Sequence, residues 1–113
     1  SVNLPIIVDA DTGWGGILNV KRTIQEFESV GANGLHLEDQ NLEKRCGHRD
    51  KKQLISTTLM VNKLKAAVDA RKNESFCIIA RTDAIAVEGV SAAIERAQRY
   101  QEAGADLIFV EAA

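Results

Sequence analysis

Three stretches of this 113-residue chain carry residue types suited to chemistry rather than packing. Lys44-Arg45-Cys46-Gly47-His48 sets a thiol among cations. Positive neighbours favour the thiolate, so such a thiol can give or take a proton near neutral pH. Gly47 lets the backbone approach a ligand closely. Asp9-Ala10-Asp11 offers two carboxylates at the end of an apolar run, and Glu38-Asp39 ends another. Oxygen-only donors favour Mg²⁺ or Mn²⁺, and Mg²⁺ takes one or two protein carboxylates while keeping several waters. Glu38 and Asp39 are suited to holding those waters. A solvated acidic loop is the bland alternative, and four acids on two strand ends weigh against it. Arg81 ends a third apolar run. It can grip a carboxylate through two parallel hydrogen bonds, or spend itself on a salt bridge to Asp83.

Thr12-Gly13-Trp14-Gly15-Gly16 has neither the lysine of a phosphate loop nor the spacing of a dinucleotide fingerprint. It reads as flexible backbone around the metal site, with Trp14 as a pocket wall. The basic run from Lys44 to Lys52 belongs to a chain of formal net charge −2 with one Trp and one Tyr. That balance argues against a nucleic-acid partner and for a small anionic one.

The hydrophobic fraction of 45% and charged fraction of 27% describe a soluble globular protein. No apolar run approaches the roughly 20 residues of a membrane span, and Ser1 to Pro5 do not resemble a signal peptide. The two cysteines have unlike surroundings, which points to a reducing, cytoplasmic setting. Cys77, within Phe76-Cys77-Ile78-Ile79, is expected to be a small core residue.

The elements that position these residues alternate. Strand-like runs lie at Pro5 to Asp9, Gly34 to Glu38, Phe76 to Arg81 and Leu107 to Glu111. Between them, Val20, Ile24, Phe27 and Val30 follow helical spacing, with Asn19 as N-cap and Gly31 as stop. Met60, Leu64, Ala67 and Val68 form a second stripe, capped by Ser56 or Thr57. Val90, Ile94 and Ala97 open a third, which Gly104 closes. Val30-Gly31-Ala32-Asn33 and Ala103-Gly104-Ala105-Asp106 form a weak internal repeat, each before a strand ending in Glu.

Helix-linked strands are expected to lie parallel in one sheet, with ligands at their carboxyl ends. Alternation then gathers Asp9, Asp11, Glu38, Arg81 and Glu111 on one polar floor, with the Cys46 loop above it. Four strands do not close a barrel, and a complete one needs about 250 residues. The expectation is therefore an α/β chain with about four central units of a (β/α)8 barrel, residues 1–113 forming a single partial barrel domain. A small open α/β sheet is the alternative.

Lys44-Arg45-Cys46-Gly47-His48-Arg49 resembles the signature of the isocitrate lyase family. Val8-Asp9-Ala10-Asp11-Thr12-Gly13, Leu37-Glu38-Asp39-Gln40, Ala80-Arg81-Thr82-Asp83-Ala84 and Glu88-Gly89 match it too, so the likeness runs through the chain in order. The Lys-Arg pair before Cys46 is more similar to the 2-methylisocitrate lyase branch than to isocitrate lyase proper. Phosphoenolpyruvate mutases share the barrel and aspartates but lack the Cys-Gly-His loop. The resemblance implies a (β/α)8 barrel and a Mg²⁺-dependent carbon–carbon lyase. It implies cleavage of the tricarboxylate 2-methylisocitrate to pyruvate and succinate in propionate breakdown, by a cytoplasmic homotetramer. By position, Asp9 and Asp11 hold the metal and Glu38 sits behind its waters. Cys46 is the catalytic acid/base on a lid-like loop, and Cys46, Gly47, Arg81 and Glu111 contact substrate. The family's other substrate loops fall outside these residues, so the stretch alone is expected to be inactive. Isocitrate cleavage to glyoxylate and succinate, and a non-catalytic metal- or anion-binding fragment, are the competing readings.

Overall fold

Branched and aromatic residues give four short strands: β1 (Ile7–Asp9), β2 (Gly34–Glu38), β3 (Cys77–Thr82) and β4 (Leu107–Val110). The structure is a computed structural model that describes residues 7–9, 17–40 and 54–111, with backbone alone at residues 8, 9, 17 and 18. The strands form one parallel sheet in the order β1-β2-β3-β4. Sequential parallel order is that of a winding barrel wall, whereas doubly wound sheets reverse their order at a switch point.

Helices α1 (Ile17–Ser29), α2 (Thr57–Ala70), α3 (Ala84–Glu88) and α4 (Val90–Glu102) connect the strands. No helix among the described residues is long and apolar enough to cross a membrane. The core lies between the helices and one face of the sheet. Val20 and Ile24 from α1, Met60 and Leu64 from α2, and Tyr100 from α4 pack with Leu35, Leu37, Ile78 and Ala80. On β3 the alternate residues Cys77, Ile79 and Arg81 are only half-buried, because they project from the face that carries no helix. The expected core role of Cys77 is corrected accordingly. Leu107 and Phe109, in the same rows, are exposed.

The α2 stripe and its Ser56 cap are as expected, the Ser56 hydroxyl accepting from the Leu59 amide at 3.0 Å. Helix α1 instead starts before Asn19, whose carbonyl accepts the Thr23 hydroxyl inside the helix. The third stripe is also corrected. Val90 and Ile94 are exposed, while Ala93, Arg96 and Tyr100 form the buried face of α4. Small Ala93 allows close approach, and polar Arg96 and Tyr100 turn inward because a buried acid awaits them.

The repeated Gly-Ala pair has a structural meaning. After α1, Gly31 takes φ 89°, its amide donates to Glu28 O, and the Ala32 amide donates to Phe27 O. After α4, Gly104 takes φ 111°, its amide donates to Gln101 O, and the Ala105 amide donates to Tyr100 O. Both are Schellman ends, which need a left-handed residue. Each turn delivers its chain into the next strand.

Candidate active site

Register brings the charged strand ends together. Glu38 pairs with Arg81 across β2 and β3, and Arg81 pairs with Phe109 across β3 and β4. The chain continues extended past β4, where the Glu111 amide donates to Thr82 O. Residues two apart share a face, so Glu38, Arg81, Asp83 and Glu111 converge at the carboxyl end of the sheet.

Arg81 is the centre of this group. Its Nε and Nη2 donate to Asp83 Oδ1 at 3.3 and 3.0 Å. Nε also lies 3.7 Å from Glu38 Oε2, and Nη2 lies 3.8 Å from Glu111 Oε1. Burial alone would lower the Arg81 pKa, but the hydrogen bond to Asp83 and the charges of Asp83, Glu38 and Glu111 outweigh it and raise it. Of the two sequence alternatives for Arg81, the salt bridge to Asp83 is formed, and the side chain stays 27% exposed. Three carboxylates against one guanidinium leave an excess of negative charge, which favours a cation in the vicinity.

Asp9, in β1, pairs with His36 and is two rows from the Glu38–Arg81 pair. Asp11, Trp14, Cys46 and Gly47, together with the Asp9 side chain, lie outside the described residues. The described side chains alone hold no group of three His, Cys, Asp or Glu placed for a metal. The donor chemistry of the remainder still suits a hard cation: Glu38 is a carboxylate on the strand beside β1, at the same end of the sheet.

Asp39 departs from its expected role of holding metal waters. It is fully buried and both oxygens are occupied. Oδ2 accepts the Thr82 hydroxyl at 2.7 Å, the Tyr100 hydroxyl at 2.6 Å and Arg96 Nη1 at 3.3 Å, and Oδ1 accepts the Asp83 amide at 3.0 Å. Alternation explains the split between neighbours: Glu38 faces the site, and Asp39 faces the helices. Sequence reading missed Thr82, Arg96 and Tyr100. The available signal was the Ala93-Arg96-Tyr100 spacing, which puts a cation and a phenol on one helical face.

At the other end of the sheet, cavities of about 310 and 200 Å³ open around Glu28 and Asn73. There Glu28 accepts the Lys72 and Asn73 amides at 2.9 Å, a contact that secures the end of α2.

Comparison with known proteins follows the same lines. Residues 1–113 match the family described as phosphoenolpyruvate phosphomutase. The chain is 58% identical over 112 residues to a 2-methylisocitrate lyase from Shewanella oneidensis, covering 99% of this chain and 38% of that protein. It superposes on a crystal structure of 2,3-dimethylmalate lyase with TM-score 0.86 at 40% identity, covering 95% of this chain and 36% of the other. A phosphonopyruvate hydrolase crystallised with oxalate and Mg²⁺ gives TM-score 0.87 at 33% identity, covering 97% and 38%. The chain therefore spans well under half the length of these proteins. Its four parallel units are part of a (β/α)8-type barrel, and it belongs to the phosphoenolpyruvate mutase/isocitrate lyase superfamily.

Proposed function

We propose that the protein containing this chain is a Mg²⁺-dependent carbon–carbon lyase that cleaves 2-methylisocitrate to pyruvate and succinate, as in propionate breakdown. The convergence of Glu38 and Glu111 on Arg81 carries this reading, because a guanidinium beside carboxylates at one strand end suits an anionic substrate next to a divalent ion. The similarity to 2-methylisocitrate lyases supports the choice of substrate. Asp9 and Asp11 would hold Mg²⁺, or Mn²⁺, with Glu38 behind its waters. When bound, the ion supplies positive charge against the oxygen charge that develops on the pyruvate half.

The chain's own residues do the rest. Arg81 binds a substrate carboxylate, and Asp83 fixes the guanidinium plane for it. Glu111 limits how far that guanidinium can turn. A base takes the hydroxyl proton, and the carbinol oxygen becomes the carbonyl of pyruvate. The bond to the neighbouring carbon breaks, and its electron pair stays on the succinate half. Cys46 gives that carbon its proton, and Gly47 lets the backbone close on the substrate. The family resemblance also supports a cytoplasmic homotetramer, which sedimentation of the full-length protein tests.

The deciding assay uses the full-length protein with Mg²⁺ on 2-methylisocitrate, isocitrate and 2,3-dimethylmalate. Release of pyruvate and succinate, with much slower turnover of isocitrate, is the expected result. Faster cleavage of 2,3-dimethylmalate would favour the second reading suggested by the structural similarity to that lyase. No cleavage of any of the three would remove the lyase assignment.

A further inference from the structure

We propose that Arg96, remote from the polar floor, is a positioning residue for this reaction, joining the foot of the 41–53 segment to the carboxylate that fixes the end of β3. The inference rests on the lyase reading above. Arg96 is buried on α4 and makes contacts in three directions. Nη1 donates to the Ile55 carbonyl at 2.9 Å and lies 3.3 Å from Asp39 Oδ2. Nη1 also lies 3.0 Å from the Tyr100 hydroxyl. On the opposite side, Nε and Nη2 donate to the two carboxylate oxygens of Glu88 at 3.1 and 3.3 Å.

These partners belong to separate parts of the chain. Ile55 follows directly on the antiparallel bridge between Gln40 and Leu54, which closes the base of the 41–53 segment. The Ile55 amide in turn donates to the Asp39 carbonyl at 2.8 Å. Asp39 Oδ1 takes the Asp83 amide, and Asp83 holds Arg81. One guanidinium therefore sets the base of the segment that carries Cys46 against the strand end that carries Arg81. A planar donor fork can hold a carbonyl and two carboxylates at fixed angles, and an ammonium cannot. A small error in the distance between the two sides would be felt in turnover, because reacting groups tolerate little misplacement.

The test compares wild type, Arg96→Lys and Glu88→Gln in the full-length Mg²⁺-loaded protein, with rates expressed per folded molecule. Arg96→Lys is expected to lower kcat about ten- to hundred-fold. KM for 2-methylisocitrate should stay within about two-fold. Glu88→Gln loosens the guanidinium from a partly exposed partner without emptying a buried site, and should lower kcat in the same sense by less. If Arg96 only supports the fold, both variants lower the unfolding midpoint and leave kcat per folded molecule at the wild-type value, which overturns the proposal. Hydrogen exchange gives a readout independent of activity. Faster exchange at the Ile55 and Asp83 amides together in Arg96→Lys is expected, and unchanged exchange at both overturns the linkage. If wild type itself cleaves none of the three substrates, the lyase reading falls, and with it the catalytic role of Arg96, whatever the exchange shows.

Discussion

The Tyr100 hydroxyl stands 2.6 Å from Asp39 Oδ2 and donates into a carboxylate that is wholly buried. Arg96 and Thr82 share that oxygen, so several donors converge on one carboxylate on the helix-covered side of the sheet. Hydrogen bonds to a charged group are worth about 1.5–3 kcal/mol. Tyr100→Phe should lower stability by about that amount in urea titrations. Asp39→Ala should cost about 3–5 kcal/mol, because it breaks the buried pair with Arg96, which keeps Glu88 as its ion-pair partner, and leaves the Thr82 and Tyr100 hydroxyls and the Asp83 amide without their acceptor. Equal losses for the two variants would contradict this ordering.

The same contact predicts an alkaline limit. Burial first, then the hydrogen bond and charge of Asp39, push the Tyr100 pKa far above its ordinary value of 10, and Arg96 opposes this only in part. The unfolded chain ionises its phenol at the ordinary value while the folded chain keeps its proton. The resulting stability is complete below that pH and is lost progressively above it. Urea midpoints of wild type and Tyr100→Phe should therefore draw together as pH rises past the phenol range. A gap that stays constant there would refute the shift.

The two Schellman glycines should differ in their tolerance of a side chain. At Gly31 a Cβ would meet nothing within 4 Å, so Gly31→Ala bears only the cost of left-handed backbone, about 1–2 kcal/mol. At Gly104 a Cβ would come 2.9 Å from Val68 Cγ2, adding overlap with α2. Gly104→Ala should be the more destabilising change, as thermal unfolding of the pair can check.

At the proposed substrate cation, Arg81→Lys keeps the charge but loses the fork that Asp83 orients. kcat/KM should fall about ten- to hundred-fold, the equivalent of one charge-assisted hydrogen bond. Wild-type kcat/KM in the lysine variant would mean that Arg81 serves the sheet rather than the substrate.

For the proposed proton donor, Cys46→Ser should cut turnover by a factor on the order of 10²–10⁴ while Mg²⁺ binding, followed by calorimetry, is retained. Undiminished turnover would take the thiol out of the chemistry.

Much of this architecture is legible in the residues. The four strands read directly from short branched runs, and the parallel sheet follows from the helices between them. Glu38, Arg81 and Glu111 meet as alternation requires, since each lies near or just past the carboxyl end of a strand of the same sheet. Two readings failed for one shared reason. Apolar counting puts Val90 and Ile94 on the packing stripe of the third helix and passes over Arg96, and Asp39 reads as a companion of Glu38. Each error assumes that charge faces outward or toward the site. Asp39, Arg96 and Tyr100 instead satisfy one another in the interior, a pairing across more than fifty positions that local periodicity does not register. The short helix α3 escaped as well, because five residues are too few to display a period.

The back-to-back placement of Glu38 and Asp39 constrains how relatives of this chain can diverge. Adding or deleting one residue within β2 would exchange the places of the two acids, pulling Asp39 out of its buried hydrogen bonds and turning Glu38 from Arg81 toward the helices. Heritable change in what such a protein acts on is thus channelled into the connecting loops, with the length of this strand held constant.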